Sequence, residues 1–192
     1  MFKTFLVYSH LIAACVAIAV IFFQDAALMK WRGRAMDQKA IADLHRDANR
    51  IVTFLILLWV TGLALVILGQ MNNPAYLMNQ KLWAKFTVVS ILTLNGLLLH
   101  SYSFPLVSSP KGLLGSPKSG QLFVLVTAVI SLVSWLFACY LGIARHWNNV
   151  APFSYVMSVY TVLLCISMIG GLLYLRFWRT GSLLYMEKFL KT

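Results

Sequence analysis

The sequence predicts an all-α integral membrane protein: a five-transmembrane-helix bundle with its N-terminus outside and its C-terminus in the cytoplasm. Hydrophobic residues make up 60% of the 192 residues and charged residues only 11%, whereas soluble domains carry roughly 25% charged residues. Five apolar segments are each long enough to cross a hydrocarbon core of ~30 Å. The basic residues are concentrated on one side of these segments, which sets the orientation.

The chain is predicted to form a single membrane domain over residues 1–192. Its spans are expected at about residues 3–29, 51–69, 82–104, 122–144 and 153–175. Residues 30–50 and 105–120 are the predicted cytoplasmic connectors, and residues 179–192 are expected to form a short helix in the membrane interface. Asp37 is predicted to cap a helix that continues without a break into the second span.

The distribution of Lys and Arg predicts both the orientation of the chain and its contact with the lipid bilayer. Of the 16 basic residues, six lie in the first connector, two in the third and four in the tail, which gives twelve on one side and four on the other. The positive-inside rule places the larger group in the cytoplasm, and the protein in a bacterial inner membrane. The net charge of +11 is therefore interpreted as contact with lipid headgroups, not with nucleic acid.

Small and weakly polar residues inside the spans predict helix packing. Ser134, Ala138 and Gly142 form a ridge at four-residue intervals in the fourth span, which suits close approach of another helix. A polar seam in the fifth span is expected to pack in the same way; it consists of Ser154, Ser158, Thr161 and Cys165. The cysteines lie in apolar runs without a metal-ligand spacing and are interpreted as packing residues.

Four ionisable residues divide between two spans with equal spacing. His10 and Asp25 lie fifteen residues apart in the first span, as do Lys85 and His100 in the third. An ionisable group that faces lipid costs at least ~2.5 kcal/mol, so these side chains should face protein or water. Spans 1 and 3 are therefore predicted to be neighbours, with His10 near Lys85 at the outer level and Asp25 near His100 at the inner level.

The histidines suggest a haem-linked oxidoreductase, because haem b in a helical bundle is held by imidazoles that project from the spans. His10, His100 and His146 are the candidate iron ligands, with Lys85 and Asp25 as the candidate catalytic residues. His45 lies among charged residues of the first connector and is expected to be solvated. A quinone or a similar redox molecule is an expected substrate.

A family resemblance supports the same hypothesis. His10 in the first span and the segment WAKFTVV (83–89) in the third resemble the haem-associated membrane protoporphyrinogen oxidase family and the related copper-resistance D-like membrane proteins. The resemblance covers residues 1–100, and it implies functional roles for His10 and Lys85, haem b as cofactor and oxidation of a porphyrinogen. This chain differs in its length and in its fifth span. Residues 131–153 also resemble a bacterial family of five-span membrane proteins.

Two other classes of function remain open at this stage. The same titratable residues could serve as proton stations of a proton-coupled transporter or ion channel, because imidazole changes charge near neutral pH. Five spans would then require a homo-oligomer to complete the route. The chain could also be an accessory subunit whose polar residues contact a redox partner in a membrane complex.

Overall fold

The computed structural model describes residues 1–31, 35–110, 112–113 and 115–189, with side chains as far as residue 177. The described helices are α1 (Phe2–Trp31), α2 (Gln38–Asn72), α3 (Gln80–Leu98), α4 (Phe104–Val107), α5 (Lys118–Ile143) and α6 (Phe153–Phe189). A π-helical segment, Leu99–Ser103, joins α3 to α4, and short 3₁₀ turns follow α2 and α5. The described part of the chain contains no β-strand.

The predicted fold class is confirmed in its coarse form. Five helical segments are long and apolar enough to cross a membrane, and they coincide with the five predicted spans. The turns at residues 73–79 and 144–152 therefore lie at the same end of the bundle as the N-terminus. This end is called the N-terminal end below, and the opposite one the C-terminal end.

Helix α2 extends well beyond its predicted span. Asp37 caps it as expected, and its Oδ1 accepts a hydrogen bond from the backbone N–H of Ala40 at 2.6 Å. With 35 residues, α2 is ~52 Å long at ~1.5 Å per residue, so its first turns extend beyond the predicted span. Two ion pairs between residues one turn apart, Arg46–Asp43 and Arg50–Asp47, lie on this projecting part.

The third span continues past its predicted end because Pro105 is accommodated by a wider turn. Proline has no N–H to donate to the carbonyl four residues earlier, and its ring crowds that carbonyl. The preceding residues form a π turn in which the Phe104 N–H bonds the carbonyl of Leu99. The helix then resumes as far as Val107.

Helix α5 packs against α3, α6 and α1. Its largest contact region is an apolar core shared with α3 and α6, whose buried members are Ala84, Val88, Val129, Val133, Phe137, Leu141, Ala151, Val156 and Tyr160. Within this core the hydroxyls of Ser134 and Tyr160 are 2.7 Å apart and hydrogen-bonded. Nearer the C-terminal end, Asn95 donates to the Thr127 carbonyl at 2.9 Å.

Helix α1 packs mainly on α2, and its buried face differs from the stripe that helical spacing predicts, which consists of His10, Ala14, Ala17, Ile21 and Asp25. The buried residues are Ala13, Ala17, Ile21 and Gln24, so the helix is rotated toward Gln24 and leaves Asp25 only half-buried. Spans 1 and 3 still meet, because Ala17 and Ile21 share an apolar cluster with Leu92 of α3 and Trp135 of α5. Leu28 of α1 also packs against a second cluster, which consists of Leu44, Ala48 and Phe104.

Two packing predictions need correction. The polar seam of the fifth span is exposed on the outside of the bundle, since α6 packs through Val156 and Tyr160 instead. These hydroxyls need no partner on another helix, because each can donate to a carbonyl of its own helix. Ser158 donates to Ser154 O and Thr161 to Met157 O. The tail does not begin a new helix at residue 179, because α6 continues to Phe189.

Candidate ligand cavity between the two parts of the bundle

A cavity of about 580 Å³ lies between the α1–α2 pair and the α3–α5 pair. Its lining begins near the N-terminal end and reaches Ile18, Leu55, Leu92 and Trp135. These four residues belong to the apolar cluster that joins α1, α2, α3 and α5, so this cluster forms the floor. The volume falls within the ~300–1,000 Å³ typical of small-molecule and cofactor sites.

The ionisable lining of the cavity is basic. His10 of α1, Lys85 of α3 and Arg145, which follows α5, all line it, and no acidic residue of the described chain does. Neither Lys85 nor Arg145 forms an ion pair with a described residue. Most of the remaining lining is apolar or aromatic, and it includes Trp59, Phe86 and Trp135. The cavity therefore has an apolar body and cations without a carboxylate partner from the described chain.

The structure brings His10 and Lys85 to this one cavity, as their predicted pairing requires. The His10 imidazole is held from α2: its Nδ1 lies 2.7 Å from Oγ1 of Thr61. Its Cε1 would lie 3.4 Å from a Cβ at Gly62. The Nδ1–Cε1 edge of the ring therefore faces α2, while the residue as a whole lines the cavity.

Lys85 differs from Lys81, which lies one helical turn earlier. The Lys81 ammonium donates to the Ala144 carbonyl at 2.7 Å and to Asn148 Oδ1 at 2.8 Å. It thereby satisfies carbonyl groups at the C-terminal end of α5, where cations are favoured. Lys85 forms no comparable hydrogen bond with a described residue, and its Nζ would lie 3.8 Å from a Cβ at Gly142. One lysine thus joins two helices, and the other is directed into the cavity.

The cavity opens toward the membrane through apolar side chains that are exposed. Val7 and Leu11 of α1 are 46% and 48% exposed, and Ile143 of α5 is 69% exposed. All three line the cavity. A ligand that approaches from the lipid would therefore meet an apolar entrance, with the basic residues behind it.

On the side of α2 and α3 the cavity is bordered by hydrogen-bonded aromatic residues. The Trp59 indole N–H donates to Thr93 Oγ1 of α3 at 3.0 Å, and the Trp59 and Phe86 rings are 6.0 Å apart between centroids. The Tyr76 ring lies so close to Gly69 that a Cβ there would be 2.7 Å from it. The two Trp59 contacts join α2 to α3 at the border of the cavity, and Tyr76 packs on the end of α2.

The other predicted site residues lie away from the cavity lining. His146 is exposed and packs edge-on against Trp147, and His100 is exposed in the π segment against Phe104. No hydrogen bond or ion pair joins Asp25 to His100 or to another described residue, so the predicted inner pair is not formed. His45 is exposed on the projecting part of α2, as expected.

Sequence reasoning missed several residues that line or support the cavity. The sequence places Arg145 near the outer surface beside His10 and Lys85 but gives it no role in a site, and it interprets Cys139 and Gly142 as packing residues. All three line the cavity. Tyr76 was overlooked in its turn. A usable signal existed for Thr61, because a hydroxyl beside Gly62 in the middle of an apolar span marks a place where another helix approaches closely.

The residues at the cavity are compatible with the haem group that the family resemblance implies. A metal-bound histidine usually donates its other ring N–H to a nearby acceptor, and Thr61 is placed to accept one from His10. Lys85 and Arg145 suit carboxylates on an otherwise apolar ring. The described residues contain no cluster of three or more His, Cys, Asp or Glu that could hold a free metal ion.

Comparisons with protein-family models, curated proteins and solved structures give no match.

Proposed function

We propose that the cavity binds an amphipathic carboxylate of tetrapyrrole size, with haem b as the cofactor and membrane oxidoreductase as the activity. One observation carries this proposal: two cationic side chains, Lys85 and Arg145, and the imidazole of His10 line an apolar cavity to which the described residues contribute no acidic side chain. Arg145 is exposed, but Lys85 is partly buried, and an unpaired cation in low-dielectric surroundings is costly. A bound anion would offset that cost, and the apolar walls would accept the rest of the ligand.

Each lining residue then has a distinct role. Nε2 of His10 is the candidate iron ligand, and Lys85 and Arg145 neutralise the carboxylates. The walls exclude water from the ring, which strengthens these charge interactions. When bound, haem supplies one-electron redox chemistry, and its potential is set by the axial ligand and the surrounding polarity. Asp25, His100 and His146 have no role in this proposal.

The substrate class follows from the apolar entrance. A porphyrinogen or a quinone is soluble in the membrane, so it could approach the group bound in the cavity from the lipid. Such a molecule would reach the cavity past Val7, Leu11 and Ile143, which are exposed in the structure. A small hydrophilic anion would gain little from this route.

Optical spectroscopy of the purified protein tests the proposal. Protein expressed with ample haem should show a Soret band, and His10→Ala should abolish or shift it. Lys85→Ala should keep the iron ligand but weaken haem or substrate binding. His100→Ala and His146→Ala are matched controls, because these imidazoles do not line the cavity, and their spectra should match the wild type. Absence of a Soret band in the wild-type protein would contradict the haem assignment.

That outcome would favour the alternative of a proton-coupled transporter or ion channel that works as an oligomer, or of an accessory subunit. The present geometry favours transport less, because the floor of the cavity is a packed apolar cluster. Proton flux into vesicles that changes with His10→Ala, in protein without haem, would establish transport. A stable complex with a second membrane protein would establish the accessory role.

The orientation in the membrane is part of the proposal. The twelve-to-four division of basic residues supports an extracytoplasmic N-terminal end and a cytoplasmic C-terminus, in a bacterial inner membrane. The cavity would then lie in the outer half of the bilayer. Reporter fusions at Met1 and Thr192 should report opposite compartments, and the same compartment for both would overturn the assignment.

A further inference from the structure

We infer that Thr61 is a positioning residue that holds the neutral His10 imidazole as its Nδ1–H tautomer and presents the Nε2 lone pair to the cavity. Only the metal-binding arm of the test below rests on the proposed function. The tautomer itself is a property of this chain, whatever ligand the cavity takes.

The Thr61 hydroxyl lies between two partners, the Leu57 carbonyl and the His10 ring. A hydroxyl has one proton to donate and can accept through its lone pairs. Oγ1 of Thr61 lies 2.7 Å from the Leu57 carbonyl one turn earlier, the usual acceptor for a helical threonine. With its proton given to Leu57, Oγ1 can only accept at Nδ1 of His10, which is also 2.7 Å away. Nδ1 must then carry the hydrogen.

Burial supports this arrangement. Thr61 is 5% exposed, so water has little access to replace either hydrogen bond. The ring also lies directly against Gly62. The small residue lets the imidazole approach α2 closely enough for the short bond to Thr61. The position of the ring and its hydrogen-bond partner are therefore both set by α2.

The charge of the cavity favours the same tautomer. Lys85 interacts electrostatically with the His10 ring, and both line the cavity. In the opposite tautomer, an Nε2–H dipole would direct its positive end into a cavity that already holds cations. A lone pair on Nε2 is the electrostatically better neighbour for an ammonium group. The hydrogen-bond pattern and the local charge thus agree.

The functional consequence concerns ligand binding. Neutral imidazole binds a metal through an unprotonated nitrogen, and the hydrogen bond at the other nitrogen decides which one is available. Thr61 would therefore prepare His10 to act as a metal ligand or a proton acceptor through Nε2. It does not itself contact the bound group.

Nitrogen NMR of the haem-free protein measures the tautomer directly. The four histidines are labelled with ¹⁵N, and the His10 signals are assigned by their loss in His10→Gln. At mildly alkaline pH the wild type should show a protonated Nδ1 and an unprotonated Nε2. A predominant Nε2–H form in the wild type would overturn the inference without any variant.

Two substitutions at Thr61 separate positioning from packing. Thr61→Val keeps the shape but removes the acceptor, and the Nδ1–H form should cease to dominate. Thr61→Ser restores the hydroxyl and should restore the wild-type tautomer. Thr53→Val is the matched control, because the Thr53 hydroxyl donates to Asn49 O on the same helix and is exposed. An unchanged tautomer in folded Thr61→Val would refute the role.

Haem titration supplies the second readout. If the proposed function is right, Thr61→Val should weaken haem binding by about 10–100-fold, the usual effect of losing such a supporting hydrogen bond, and Thr61→Ser should not. If haem binds neither the wild type nor the variants while the NMR pattern is as expected, only the haem proposal fails. If haem binds the wild type and Thr61→Val equally, the positioning role fails.

Discussion

Helices α3 and α5 have two unlike sides at the same depth of the bundle. Toward α6 they present Ala84, Val88, Phe137 and Leu141 to a packed core. Toward α1 and α2, adjacent residues of the same helices, such as Lys85 and Cys139, line the cavity. The difference comes from what stands opposite. Large side chains of α6, above all the fully buried Tyr160, fill the first side, whereas Ala14 and Gly62 leave the second open.

This contrast divides the bundle into a closely packed part, formed by α3, α5 and α6, and a part beside α1 and α2 that contains the cavity. Packing holds the α3–α5–α6 part together, because helix association in lipid depends on close contact. The α1–α2 pair is joined to it by the apolar cluster around Trp135, by a second cluster that includes Leu44 and Phe104, and by the Trp59–Thr93 hydrogen bond. Substitutions on the two sides should therefore change the free energy of unfolding by different amounts. Four pairs of substitutions test this difference.

The largest loss of stability is expected for Leu141→Ala on the packed side. Leu141 is 1% exposed, and truncation of a buried leucine typically costs about 2–5 kcal/mol. Leu65→Ala is the comparison on the cavity side, where the lost methyl groups already border empty space, and it should cost less than half as much. Thermal unfolding in detergent measures both, and equal costs would remove the distinction.

The next largest difference in stability is expected between substitutions of the two lysines of α3. Lys81→Met removes two hydrogen bonds to the end of α5, and a bond to a charged group is worth about 1.5–3 kcal/mol. The unfolding free energy should fall by about that amount. Lys85→Met should leave stability unchanged or raise it, since no described residue pairs with that ammonium, while ligand binding weakens. The opposite ranking of the two variants would show that Lys85 is the structural cation.

A smaller effect is expected where α2 meets α3. Trp59→Phe keeps the ring but removes the bond to Thr93, and such interhelical hydrogen bonds average about 0.6 kcal/mol in membranes. Trp83→Phe is the control, because its indole bonds Leu77 O within the neighbouring turn and not another span. A cost above about 2 kcal/mol for Trp59→Phe would mean that this contact, and not the Trp135 cluster, holds the two parts together.

The smallest change in stability is expected for a substitution that fills the cavity. Ala14 lines it, so Ala14→Leu should leave the melting temperature nearly unchanged and block ligand binding. Ala17 lies one turn along the same helix and is fully buried, so Ala17→Leu should cost about 1–3 kcal/mol through overpacking. Parallel measurements of melting and of haem uptake check the pair. Unimpaired uptake by folded Ala14→Leu would place the ligand elsewhere.

The sequence by itself determined the five helices and the approach of His10 to Lys85. Apolar segments of bilayer length must be helical, because every backbone polar group in lipid has to be satisfied internally. Asp37 marked the start of α2, since a carboxylate can satisfy a free N–H there. The cost of burying ionisable groups directed attention to His10 and Lys85, and the structure brings them to the same cavity.

Only the tertiary structure decided which face of each helix is buried. In a soluble helix the apolar stripe marks the core, but lipid is as apolar as leucine, so apolar residues surround a membrane helix on all sides. This is why the predicted stripe of α1 missed Gln24, why the seam of α6 faces outward, and why Asp25 does not meet His100. Thr61, Arg145 and Gly142 acquired their roles in the same way. Each depends on a neighbouring helix, which no local pattern in the sequence identifies.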